Sequence, residues 1–157
     1  MNELDSQVND PQNKAYLSID FEDFSQDIKR EFQLEDSPKM RVDALDRVLK
    51  IMQSFFENSL ECPQITFFCT GILAKKYPQI IEQIASYGHE VGCHYHYHDS
   101  VRNDDAALVD QRFGQAKSYL EKASGQEILG FRAPRFSIDA KDRERYAIVQ
   151  KHFRYDS

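Results

Sequence analysis

Several features are scarce in this 157-residue sequence, and each scarcity excludes something. Basic residues are not in excess: 20 Lys and Arg stand against 26 Asp and Glu, giving a net charge of −6 and a pI near 5.3. That balance argues against a nucleic-acid binder, which would display a basic face. The longest apolar runs are only a few residues, so no segment reads as a membrane span. Met1 to Lys14 is polar and acidic, without the basic-then-apolar order of a secretory signal, and the expected location is therefore the cytoplasm. Cys62, Cys69 and Cys93 are odd in number, widely spaced and free of CxxC patterns. They suit buried thiols in a reducing compartment better than a disulfide framework. No internal repeat and no low-complexity segment is present.

What is there is enough for one core. With 41% hydrophobic and 12% aromatic residues, the chain has material for a single domain, expected over residues 15–157 after a flexible leader over residues 1–14. Ala15 to Ile19 reads as a short buried strand that ends on the acidic cluster Asp20, Glu22 and Asp23. Ser25 to Pro38 reads as a loop with one helical turn. Ser37-Pro38 then opens a helix to about Leu60, with Val42, Leu45, Val48, Leu49, Met52, Phe55 and Phe56 as its apolar stripe.

Ile65 to Gly71 has the continuous apolar pattern of a strand buried on both faces. Short helices follow over Leu73–Lys76 and Pro78–Ser86, the second stopped at Gly88. His89 to Cys93 is the next strand. Asn103 caps a helix with the stripe Val109, Phe113, Ala116, Leu120 and Ala123, stopped by Gly125. Glu127 to Phe131 is a strand, Asp139 starts a helix to about His152, and Phe153 to Ser157 opens one more strand. This βα rhythm predicts parallel strands with outer helices, an α/β fold.

Three of the five histidines fall within His94-Tyr95-His96-Tyr97-His98. The spacing of His94 and His98 puts two imidazoles on one side of a strand or a helical turn, which is a metal-ligand spacing. A catalytic site needs a third ligand, and the carboxylates of Asp20, Glu22 and Asp23 lie at another strand end. The alternative is a surface histidine cluster with no partner. Cys93, beside His94, is either a soft ligand or a small core residue, and the core role is favoured.

Four stretches in order resemble one known family: Ser18-Ile19-Asp20-Phe21-Glu22-Asp23-Phe24, Thr66-Phe67-Phe68-Cys69-Thr70-Gly71, Gly92-Cys93-His94-Tyr95-His96-Tyr97-His98, and Gly130-Phe131-Arg132-Ala133-Pro134-Arg135-Phe136-Ser137. Together, from about Tyr16 onward, the chain resembles the polysaccharide deacetylases of the NodB-homology type, carbohydrate esterase family 4, and within it the exopolysaccharide and O-antigen-locus branch. The resemblance implies a deformed (β/α) barrel and one divalent metal, zinc with cobalt or nickel as alternatives. It implies hydrolysis of N-acetyl or similar acyl groups on amino sugars during polysaccharide or glycan-precursor synthesis. It assigns His94 and His98 as metal ligands and Asp20 as catalytic base, paired with Arg132. The metal acid is Asp23 or Glu22, with Asp23 slightly favoured because the strand has ended there. Pro134 fixes its loop, a backbone N–H near Arg135 or Phe136 is placed to serve the oxyanion, and Tyr95, Pro134 and Phe136 are the expected substrate contacts, Tyr95 and Tyr97 either stacking on a sugar ring or serving equally well as packing or strand-edge aromatics.

There are departures from the pattern. Tyr95 stands where the family usually has Ser or Thr. The family's late catalytic histidine has no counterpart, because His152 lies too early and on a predicted helix. The barrel is therefore expected to be incomplete at its C-terminus, as a fragment, a chain completed by a partner or by self-association, or a degenerate protein. Two other functions stay open: a catalytically incompetent binding module of the same fold, and an amidase acting on a non-sugar C–N bond.

Overall fold

The computed structural model describes residues 16–35, 39–58 and 63–157. The expected leader, the Ser37-Pro38 helix start, Leu60 and Cys62 lie outside the described residues. Five strands form one wholly parallel sheet in chain order: β1 (Ser18–Phe21), β2 (Thr66–Cys69), β3 (Glu90–Cys93), β4 (Gly130–Phe131) and β5 (Tyr155–Asp156). The register aligns Asp20 with Phe68 and Phe68 with Gly92, while Phe21, Cys69, Cys93 and Phe131 form the next row. Because side chains alternate along a strand, these two rows face opposite sides of the sheet.

One side is the apolar core. Phe21, Phe67, Cys69, Val91, Cys93 and Phe131 are buried there against α4 (Pro78–Ser86) and α5 (Ala106–Ser124), with α3 (Gly71–Lys76) and α6 (Arg143–His152) beside them. Cys69 and Cys93 are buried free thiols, so Cys93 fills the core role. The other side carries Ser18, Asp20, Thr66, Glu90 and Arg132. Phe68 belongs to that side and is buried by a different device, the Arg132 guanidinium lying 4.3 Å over its ring.

The helices form where the residues favour them. Pro78 opens α4 and Gly88 follows it at φ 83, and α5 ends on Gly125 in the left-handed region at φ 70, a conformation that glycine adopts without strain. The expected α5 stripe is buried at Val109, Phe113, Ala116 and Leu120. No described helix is long and apolar enough to cross a membrane.

Several boundaries differ from expectation. β1 starts and ends later than Ala15–Ile19, so Asp20 lies within the strand. Ser25–Glu31 is a seven-residue helix, α1, and not a loop with one turn. The long helix, α2, covers Val42–Glu57 and buries Leu45, Leu49 and Phe56, while Val48 and Phe55 of the expected stripe are exposed. Asn103 ends a 3₁₀ turn, and the cap of α5 is Asp105, which accepts a bond from Leu108 N at 2.8 Å. Asp139 shapes a turn, and Asp142 caps α6. Only the last two residues of Glu127–Phe131 pair as strand.

Candidate metal centre

The site assembles at the carboxyl ends of β1 and β3, the usual location of chemistry in α/β sheets. After Cys93 the chain turns over the start of α3. There Gly71 N and Ile72 N, donors with no partner inside their own helix, bond the carbonyls of Tyr95 and His96, each at 2.9 Å. Gly71 permits this approach, since a Cβ there would lie 2.6 Å from His96 Nδ1 and 2.7 Å from Ala116 Cα. Tyr95 takes the left-handed conformation at φ 64. Its ring is fully buried edge-on to Phe113, and its hydroxyl donates to Asp104, which also pairs with Arg112. Tyr95 therefore anchors the loop from beneath and is removed from any substrate, which corrects its assignment as a sugar contact.

The two histidines at the ends of this loop converge, with ring centroids 5.2 Å apart. His94 is buried, and its Nδ1 lies 2.8 Å from the Arg132 carbonyl. A carbonyl only accepts, so Nδ1 carries the proton and Nε2 presents its lone pair. His98 Nδ1 lies 2.8 Å from Asp27 Oδ2, which fixes the same tautomer there. Both Nε2 atoms face Glu22 Oε1, at 3.9 Å from His94 and 3.0 Å from His98. Two ligands held about 2.1 Å from a tetrahedral ion stand about 3.4 Å apart, so these separations bracket what one ion needs.

The electrostatics favour an added cation. Glu22 Oε2 is buried with no hydrogen-bond partner among the described residues. Its pKa is pushed up to about 8, first by burial and then by Asp27, Asp20 and Asp23. Burial, ahead of the opposing pull of Asp20, draws His94 down to about 4. The neutral imidazole of His94 is ready to ligate, and a divalent ion would supply the positive charge that Glu22 lacks and displace the proton it keeps. Glu22, His94 and His98 offer ligand atoms that all lie within 4.8 Å of one another.

Asp20 stands beside this trio. Its Oδ1 accepts from Arg132 Nη1 at 2.8 Å, and its Oδ2 lies 3.9 Å from His94 Nε2. Arg132 Nη2 also bonds the hydroxyls of Ser18 and Ser157, at 2.6 and 2.8 Å.

Asp23 is turned elsewhere. Ser25 N and Oγ occupy its Oδ1, and Arg41 N donates to its Oδ2 at 2.8 Å. The structure thus brings Asp20, Glu22, His94, His98 and Arg132 together and leaves Asp23 out. Pro134 is buried in a 3₁₀ turn, Pro134–Phe136, in which Arg135 and Phe136 both have positive φ; Phe136 is 94% exposed. Asp27 and Arg30 are not singled out by the sequence, because an acid and a base three apart face each other only where the segment is helical, as Ser25–Glu31 is.

A family model described as polysaccharide deacetylase matches residues 35–151. No match was found among curated protein sequences. Among solved structures, a candidate polysaccharide deacetylase from Mycobacterium smegmatis aligns with TM-score 0.66 and 21% identity, covering 90% of this chain and 49% of its own. The peptidoglycan N-acetylglucosamine deacetylase Bc1960, solved with a hydroxamate-type ligand, gives 0.64 and 19%, with 93% and 57% covered. A mutant, with restored enzymatic activity, of a family 4 carbohydrate esterase pseudoenzyme from Bacillus anthracis gives 0.64 and 18%, with 90% and 42% covered. At these identities the likeness is one of fold, an α/β parallel sheet of which this chain holds part of the barrel. The chain spans about half the length of the solved structures it matches.

Proposed function

The chain belongs to the polysaccharide deacetylase family, and on that premise we propose that it is a metal-dependent hydrolase removing N-acetyl or similar acyl groups from amino sugars of polysaccharides or their precursors. The observation that carries the reading is the convergence of Glu22, His94 and His98 beside the Asp20–Arg132 pair. Glu22, not Asp23, is the metal acid of this proposal, and a set of two imidazoles and one carboxylate suits zinc, with cobalt or nickel as substitutes. When bound, such an ion acidifies water and polarises the acyl carbonyl.

The chain's own residues supply the rest. Arg132 occupies Asp20 Oδ1 and leaves Oδ2 facing the cluster, where it takes the proton of the attacking water. The water oxygen bonds to the acyl carbon, the proton taken by Asp20 passes to the nitrogen as the C–N bond breaks, and the amine leaves with a carboxylic acid that releases its own proton to solvent. Phe136, exposed on its turn, is the candidate platform for the sugar ring.

Metal analysis and acetate release from N-acetylated amino-sugar oligomers test the proposal together. We expect about one ion per chain, lost in His94→Ala and His98→Ala, and activity reduced about 10²- to 10⁴-fold in Asp20→Asn. Full metal content in both histidine variants rejects the site. A second reading, a binding module without turnover, is favoured by the likeness to a pseudoenzyme. It predicts metal and sugar binding with no acetate released.

A further inference from the structure

His94 and His98 are oriented by different devices. The Nδ1 of His94 is held by a backbone carbonyl, that of Arg132. The Nδ1 of His98 is held by a side chain, Asp27, from a helix 71 residues away in sequence. Asp27 and Arg30 are three apart on α1, and a pair of that kind is ordinarily a surface helix contact. Here the pair does more than bond to itself. One oxygen of Asp27 accepts from Arg30 and the other faces His98. Arg30 Nη1 reaches past Asp27 to the carbonyl of His98 at 3.0 Å and to Asp99 Oδ1 at 3.4 Å. Ring and backbone of His98 are thus gripped from the same helix, while its Nε2 is left facing Glu22 Oε1 at 3.0 Å and its ring lies 5.2 Å from that of His94.

We infer that Asp27, held in place by Arg30, is a positioning residue that fixes His98 as an Nε2 ligand. The inference rests on the metal centre of the proposed function. A carboxylate on the far nitrogen of a ligating imidazole selects its tautomer, sets its ring angle and raises its basicity, and removing such a partner typically weakens metal binding about 10- to 100-fold. Arg30 completes the device, because a carboxylate free to rotate would hold Nδ1 only part of the time.

The test is a titration of the full chain with Zn(II) against a chromophoric chelator, paired with melting of the metal-free forms. Asp27→Ala should weaken binding about 10- to 100-fold. Asp27→Asn, whose amide oxygen still accepts the Nδ1 proton, should fall between it and wild type with an unchanged metal-free melting temperature. Arg30→Ala should shift affinity in the same direction. Wild-type affinity in Asp27→Asn and Arg30→Ala, or a lowered melting temperature with unchanged affinity, makes the pair an ordinary helix contact and overturns the inference. The outcome is separable from the parent proposal: retained binding in His98→Ala would sink the metal centre itself, whereas loss there with no effect at Asp27 sinks only this positioning role.

Discussion

Glu22 is a carboxyl group with one oxygen on His98 and no partner for the other among the described residues, so its ionisation contributes to how the metal-free chain responds to pH. Its pKa rises from an ordinary 4.5 to about 8 on folding. The folded chain therefore keeps a proton that the unfolded chain releases, and this group's stabilisation is complete below pH 4.5 and is lost as pH climbs to about 8. His94, lowered from 6.5 to about 4, runs the other way: the unfolded chain takes up the extra proton, and stability is lost as pH falls through that window. The two oppose each other between 4.5 and 6.5, and above 6.5 Glu22 acts alone. Metal-free wild type should lose melting temperature between pH 6.5 and 8 while Glu22→Gln stays flat. Parallel profiles over that interval would contradict the buried environment of Glu22. The choice between Glu22 and Asp23 was not legible in the sequence, since it turned on where β1 ends and on Ser25 and Arg41 claiming Asp23. The histidine pair was legible because its spacing is local.

At the scale of elements, the starts of α5 and α6 were misplaced because caps compete there. Asn103, Asp104 and Asp105 can each accept from a helix N-terminus, and composition does not rank them. Tertiary structure does: Asp104 is claimed by Tyr95 and Arg112, leaving Asp105 to bond Leu108 N. Asp105→Ala should therefore cost about 0.5–2 kcal/mol, whereas Asn103→Ala should leave denaturant midpoints within about 0.5 kcal/mol of wild type. Equal losses in urea titrations would return the cap to Asn103. By contrast α4 was read to the residue, because Pro78 and Gly88 punctuate it from outside. Helix α1 was only partly legible for the opposite reason: its N-cap Phe24 makes no side-chain cap bond, and its Arg30 is tied to the distant His98–Asp99 segment.

Across the whole molecule, the longest side-chain tie among the described residues is made by Arg132. Its guanidinium bonds Ser18 and Asp20 on the first strand and Ser157 after the last, and covers Phe68 between them. A lysine has one ammonium and no flat face, so it cannot serve these groups together. Arg132→Lys should keep its metal content yet lose turnover on the order of 10²-fold, the usual penalty for a misplaced reactive group. Steady-state kinetics with unchanged kcat would remove Arg132 from the aiming of Asp20. The parallel order of the sheet was legible from the βα rhythm and the Arg132–Asp20 pair from the family resemblance, but the bonds to Ser18 and Ser157 and the cover over Phe68 were not, because nothing local in Arg132-Ala133-Pro134 indicates them.

Strands that lie side by side in the order of synthesis have a temporal meaning. Each one leaving the ribosome meets a neighbour already made, and domains generally fold from the N-terminus as they emerge. Glu22, Asp27, His94 and His98 are all present once β3 has docked, while Arg132 arrives only with β4. A nascent chain therefore carries both histidines and Glu22 before Arg132 emerges, and only then do His94 gain the carbonyl that holds its Nδ1 and Asp20 the guanidinium on its Oδ1.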